Sequence, residues 1–266
     1  MIRTVLCILC VLCAFTGTAK AQFVLEQGKV SLAVSGGERL NGFVTIHNNS
    51  KEEALLKVYW EDFEYITPYD GSKSFAPAGT LPSTASQWIS YSPQEFKISG
   101  FGAQKVQYTI SVPEKVEGGH YGVLFFERVN SDVKTTTGVK VVYRMGSLFF
   151  IEAKDKIKQA VFNAMKIAAG SLTGALTNQG NAVLVPRTTY YIMDQDGLVA
   201  DRGDVKNLYI PPGVTAPFSI ALPAGLQPGA YTFFVNADLE EGDVVVQEIA
   251  FSKDAAGRIT MGHTGP

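Results

Sequence analysis

From Phe23 to Ser252 apolar residues recur at every second position in short runs, and helical spacing is nearly absent. The alternation is clearest in Gly42-Phe43-Val44-Thr45-Ile46-His47 and in Val106-Gln107-Tyr108-Thr109-Ile110-Ser111-Val112. One set of side chains there faces a core and the other faces water, as in a half-buried antiparallel strand. The pattern predicts strands over Lys29–Val34, Leu40–Asn48, Ala54–Tyr65, Gln87–Ser92, Glu95–Ser99, Lys105–Val112 and Tyr121–Val129. A second set follows over Gly138–Glu152, Ala160–Ile167, Ser171–Thr177, Arg187–Met193, Val199–Tyr209, Thr215–Leu222, Ala230–Ala237 and Val244–Ser252. Between them lie Ser35-Gly36-Gly37, Asn48-Asn49-Ser50, Asp70-Gly71-Ser72 and Glu117-Gly118-Gly119, which supply the residues a turning backbone needs.

Roughly seven strands per half, with turns about every 8–12 residues, is the pattern of an immunoglobulin-like sandwich. The fold class predicted is all-β: two tandem immunoglobulin-like β-sandwich domains. The expected divisions are 22–153 and 154–253, with the break at the charged Ala153-Lys154-Asp155 and a flexible polar tail over 254–266. The halves echo each other. Val112-Pro113 leading to Gly119-His120-Tyr121 parallels Leu222-Pro223 leading to Gly229-Ala230-Tyr231. A tyrosine at this place in a sandwich locks a corner through its hydroxyl.

Composition adds the setting. Residues 1–21 combine Arg3, an apolar run from Val5 to Phe15 and a small-x-small Ala19-Lys20-Ala21, so they read as a cleaved signal peptide. All three cysteines, Cys7, Cys10 and Cys13, fall inside it, so the mature chain has no disulfide, thiolate metal site or cysteine nucleophile. The net charge of −2 becomes −4 without Arg3 and Lys20, and that excludes the basic footprint of a nucleic-acid binder. No later run approaches the roughly eighteen apolar residues of a membrane span. The expected location is the periplasm, with the extracellular surface as the alternative.

The chain is poor in reactive constellations. His47, His120 and His263 stand apart, on a strand, a turn and the tail, and form no metal-ligand pair. Asp194-Gln195-Asp196-Gly197 lacks the later glutamate of a calcium loop and reads as a hairpin turn. Glu61, Asp62 and Glu64 read as surface charge on a strand, and Glu240-Glu241 as surface charge at a hairpin turn. Asn48-Asn49-Ser50 matches a glycosylation sequon but reads as a turn. No nucleophile elbow or phosphate loop is present. No metal, cofactor or catalytic residue is expected, and a carbohydrate-active surface built on Trp60 and Trp88 ranks well behind a binding role.

Val139-Lys140-Val141-Val142-Tyr143-Arg144 resembles the signature strand of the periplasmic pilus-assembly chaperones, which reads aliphatic-Lys-aliphatic-aromatic-Tyr-Arg-Pro. Asn41–Asn48, Trp88–Pro93 and Gly119–Glu127 resemble the same family, over residues 24–152 in all. The resemblance implies two immunoglobulin-like domains and a partner-binding set of Lys29, Lys140, Tyr143 and Arg144. In it Lys140 and a first-strand cation at Lys29 clamp the carboxylate at a subunit's C-terminus. Lysine at 29, where the family has arginine, lacks the planar two-pronged fit. As solvated strand residues, Lys29 and Lys140 would instead protect edges.

Two departures matter. The family lends an alternating apolar strand to its subunit, whereas Asn130–Gly138 is polar apart from Val133. Met145 also stands where the proline is expected. The resulting expectation is a non-enzymatic chaperone-like protein that binds an exported, pilin-like subunit or another envelope protein by an interdomain cleft and a strand edge. The alternative is a structural or adhesive module of a cell-envelope assembly.

Overall fold

The alternating runs fold as strands, and no helix occurs among the described residues, which in this computed structural model are 21–129, 142–168 and 170–262. The leader, Asn130–Gly138, Lys140 and His263 lie outside them. The first sandwich contains β1 (Phe23–Leu25), β2 (Lys29–Val34), β3 (Arg39–Asn48), β4 (Ala54–Tyr65), β5 (Lys73–Pro77), β6 (Ile89–Ser92), β7 (Glu95–Ile98), β8 (Ala103–Ser111), β9 (Gly119–Val129) and β10 (Arg144–Ala153). One sheet runs β1-β3-β8-β6 and the other β2-β10-β9-β4-β5, with β7 also on β4. The second sandwich contains β11 (Ala160–Ala168), β12 (Ser171–Asn178), β13 (Arg187–Asp194), β14 (Val199–Asp204), β15 (Thr215–Ala221), β16 (Gly229–Asp238), β17 (Val244–Lys253) and β18 (Ile259–Met261). Its sheets run β11-β12-β15 and β14-β13-β16-β17-β18.

Each sandwich buries its own core. Val44, Ile46, Val106, Ile110, Leu124, Phe149 and Ile151 meet in the first, as the alternation in β3 and β8 requires. Leu172, Leu176, Ile192, Phe233, Val235 and Ile249 meet in the second. A buried asparagine clamps the same turn in each half. The Asn48 amide donates to the Glu52 and Ser99 carbonyls, and the Asn178 amide donates to those of Ala182 and Ile210. Asn48 is therefore a turn residue, sealed from any glycan.

The first strand of the chain changes sheets. β1 pairs with β3, the chain crosses at 26–28, and β2 pairs in parallel with β10 from the Lys29↔Leu148 row onward. Among the described residues nothing pairs with the β2 side of Arg144–Ser147, and the two sheets part there.

Several details differ from the pattern-based expectation. β1 and β18, at three residues each, are too short to carry an alternation, and β5 (Lys73-Ser74-Phe75-Ala76-Pro77) has none. β18 pairs with β17, so part of the expected tail is sheet. The strand predicted over Val199–Tyr209 ends at Asp204 because the following residues dock on the first sandwich, where the Tyr209 N–H donates to the Tyr69 carbonyl. His120 lies in β9 rather than on a turn. Asp62 is fully buried, not surface charge, because it accepts from the Thr80 and Leu81 N–H groups, the Thr84 hydroxyl and the Trp60 indole. Trp60 is buried in the first core and offers no platform for a sugar.

Candidate partner-binding cleft

The outer face of the six-stranded sheet is as aromatic as its inner face. Phe63, Tyr65, Tyr121, Phe125 and Phe150 form a third buried cluster, which takes in Val183 and Tyr209 from the second sandwich. The junction is therefore a packed contact with fixed hydrogen bonds. The Val183 N–H donates to the Tyr121 hydroxyl at 2.7 Å. The Gly119 N–H donates to the Asn181 carbonyl at 3.0 Å. Gly118, at φ +66, lies so close to that carbonyl that a Cβ would stand 2.1 Å from its oxygen. Across the junction the Tyr65 and Tyr209 rings stack at 4.9 Å, and the Lys206 ammonium lies 3.7 Å from the Asp70 carboxylate.

Beside this junction opens a cleft of about 490 Å³. Lys29 opens β2 on its wall, with its Nζ 4.4 Å above the centre of the Phe150 ring. Among the described residues Lys29 makes no ion pair. Two further lysines enter from the chain that follows β10. Lys156 Nζ lies 2.6 Å from Glu241 and 3.5 Å from Glu152, and Lys158 Nζ lies 3.7 Å from Glu241. Burial pulls Lys156 down, but its two carboxylate neighbours outweigh it and leave the group above its ordinary value. Lys156 holds Glu241 below the usual carboxylate value in return. Among the described residues the cleft thus places one unpaired ammonium near two that are already matched.

Tyr143 and Arg144 stand elsewhere. Arg144 begins β10 opposite Glu127, at the end of the strand that β2 does not reach. Its guanidinium lies 4.0 Å above the Phe125 ring, bonds Glu61 at 3.1 Å and touches the Tyr59 hydroxyl at 3.4 Å. Gly146 leaves room for this stack, since a Cβ there would meet Val123 and Phe125. The structure therefore does not bring Lys29 together with Tyr143 and Arg144. Those two residues border a second feature, an apolar groove of about 470 Å³ lined by Phe23, Leu56, Phe126, Arg128 and Met145. It lies where β1 has left the edge of β10.

The sequence pattern does not single out Lys156, Lys158 or the bridging role of Tyr121. The Lys-x-Lys spacing puts both ammonium groups on one side of an extended chain, but the opposing acids arrive from a hairpin more than eighty residues later. Among the described residues no group of three His, Cys, Asp or Glu side chains could hold a metal, and no helix is long and apolar enough to cross a membrane.

No family model and no curated protein matches the chain. Solved structures do. A chain from a chaperone–tip adhesin complex of CFA/I fimbriae biogenesis superposes with a TM-score of 0.52 at 14% identity, over 86% of this chain and 98% of that one. The class 5 fimbriae chaperone CfaA superposes with a TM-score of 0.51 at 15% identity, over 85% and 98%. At this identity the likeness establishes the fold: two tandem immunoglobulin-like sandwiches spanning nearly the whole of those chains.

Proposed function

We propose that this protein is a non-enzymatic, periplasmic chaperone-like protein that holds an exported subunit of pilus type through the interdomain cleft and the open edge of β10. The observation that carries this reading is the edge itself. Arg144–Gly146 offer backbone groups on the side that β2 leaves free, directly beside the groove containing Phe23, Leu56, Phe126 and Met145. An extended segment added there gains main-chain hydrogen bonds and places alternate side chains in an apolar slot. Lys29, unpaired among the described residues and set over Phe150, supports a second contact: an ammonium in a cleft favours a carboxylate from the partner. The fold shared with CfaA supports the same reading. The residues assigned to partner binding are Lys29 and Lys140 for charge, and Tyr143 and Arg144 for the edge.

The alternative, a structural module of an envelope assembly, draws support from the fixed junction at Tyr121–Val183 and from the engagement of Arg144 with Glu61. Affinity purification of the exported protein, with bound chains identified by mass spectrometry, separates the two. The chaperone reading expects a β-sandwich subunit to copurify with the native protein and to be lost with Lys29→Glu, at a stability change within about 0.5 kcal/mol, as for a surface substitution. Equal recovery with both proteins contradicts a role for the cleft.

A further inference from the structure

Lys156 and Lys158 are held in place by the backbone. The Ile157 N–H donates to the Asn181 side chain, the Ile157 carbonyl accepts from the Asn181 N–H, and the Gln159 carbonyl accepts from the Gln179 N–H. Ile157 points to solvent while the lysines on either side turn into the cleft. Their side chains are 9% and 12% exposed, whereas the Glu241 and Glu240 side chains that meet them are 68% and 71% exposed. The acids therefore lie over the lysines as a cover.

That cover is the tip of the β16–β17 hairpin. Glu240 sits at φ +65, a left-handed conformation that residues other than glycine adopt only at a cost. It is held there by a bond from its N–H to Asp238 Oδ1. Glycine at 242 lets the tip close on the chain below, since a Cβ there would stand 3.0 Å from the Lys158 carbonyl oxygen. Two adjacent carboxylates are thus presented to two ammonium groups by a shaped turn. The two carboxylates stay largely in water while the ammonium groups they meet do not, so a carboxylate arriving from outside can exchange with them.

We infer that the Glu240–Glu241 tip is an internal occupant of the cleft, which covers Lys156 and Lys158 until a carboxylate-bearing extended segment of the partner displaces it. This rests on the cleft-binding reading above and adds a step to it. The partner first meets Lys29 and the Phe150 ring, and full seating requires the tip to open. A tip that must open lowers the apparent affinity by the fraction of molecules already open.

The experiment uses the exported full-length protein and a fluorescent pentapeptide of alternating valine and threonine with a free C-terminal carboxylate, read by anisotropy. Its C-terminal amide is the control. The paired change Glu240→Gln and Glu241→Gln is expected to tighten binding of the free-acid peptide by about tenfold. The amide should gain nothing, and Lys156→Gln with Lys158→Gln should erase the gain. Equal affinity of native and variant proteins for the acid overturns the internal-occupant proposal and leaves the cleft reading standing. Failure of both proteins to bind the acid better than the amide overturns both. Thermal unfolding of each variant confirms that the comparison is between folded proteins.

Discussion

The Tyr121 hydroxyl in the first sandwich accepts the Val183 N–H of the second at 2.7 Å and faces Glu152 at 3.4 Å. Its counterpart Tyr231 stays within its own domain and donates to the Gln227 carbonyl at 2.8 Å. Two tyrosines in matching sequence contexts thus do different work. One locks a corner and the other ties two domains together, with its hydroxyl pushed far up by burial. Tyr121→Phe leaves a buried N–H without an acceptor. It should cost about 1–3 kcal/mol and loosen the coupling between domains. Calorimetry should then resolve two transitions where the native protein gives one, and a single unshifted transition would contradict the assignment.

Asp62 holds the loop that leads to this junction. Its carboxylate takes the Thr80 and Leu81 N–H groups and the Thr84 hydroxyl, and the Tyr121 N–H in turn donates to the Ser83 carbonyl. Removing the acceptor leaves several half-buried donors without a partner. Asp62→Ala should lose roughly 3 kcal/mol or more in chemical unfolding, and Asp62→Asn, which keeps one oxygen, should lose less. Native-like stability of Asp62→Ala would show that the loop satisfies its donors another way.

His120 gives the fold a dependence on pH. Burial pulls its imidazole below the ordinary value of 6.5, and bonds to the Thr84 and Glu117 carbonyls only partly offset this. Its ring packs 4.1 Å from that of Trp88. As pH falls through 6.5 the unfolded chain takes up a proton that the folded chain refuses, so stability is full above 6.5 and declines through the lower folded-state value. The melting temperature, followed from about pH 7.5 to about pH 5, should fall more steeply in the native protein than in His120→Asn. Parallel curves would contradict this.

The strands were legible because their alternation is strong. β2 and β4 begin and end where the pattern places them, and Val44, Ile46, Val106 and Ile110 point inward as their parity demands. β5 and β18 were not, since an edge strand without alternation of its own is fixed by the neighbour it pairs with. Of the residues proposed for the candidate site, the pattern indicates types but not their grouping. Lys29 does line the interdomain cleft, but Tyr143 and Arg144 lie at the other end of β10, beyond what a linear motif can specify. Glu240 and Glu241 were recognisable as a charged turn. That they meet Lys156 and Lys158 depends on how two domains pack, which no local spacing encodes.

The most direct test of the central claim is site-specific photocrosslinking in the exporting cell, with the photoreactive group at Met145 on the open edge of β10. Gln107, on the outer face of the opposite sheet, serves as the reference position. The account predicts that Met145 captures an extended segment of a β-sandwich subunit, that Gln107 does not, and that Lys29→Glu abolishes the Met145 product. Equal capture from both positions, or capture indifferent to Lys29, would contradict it.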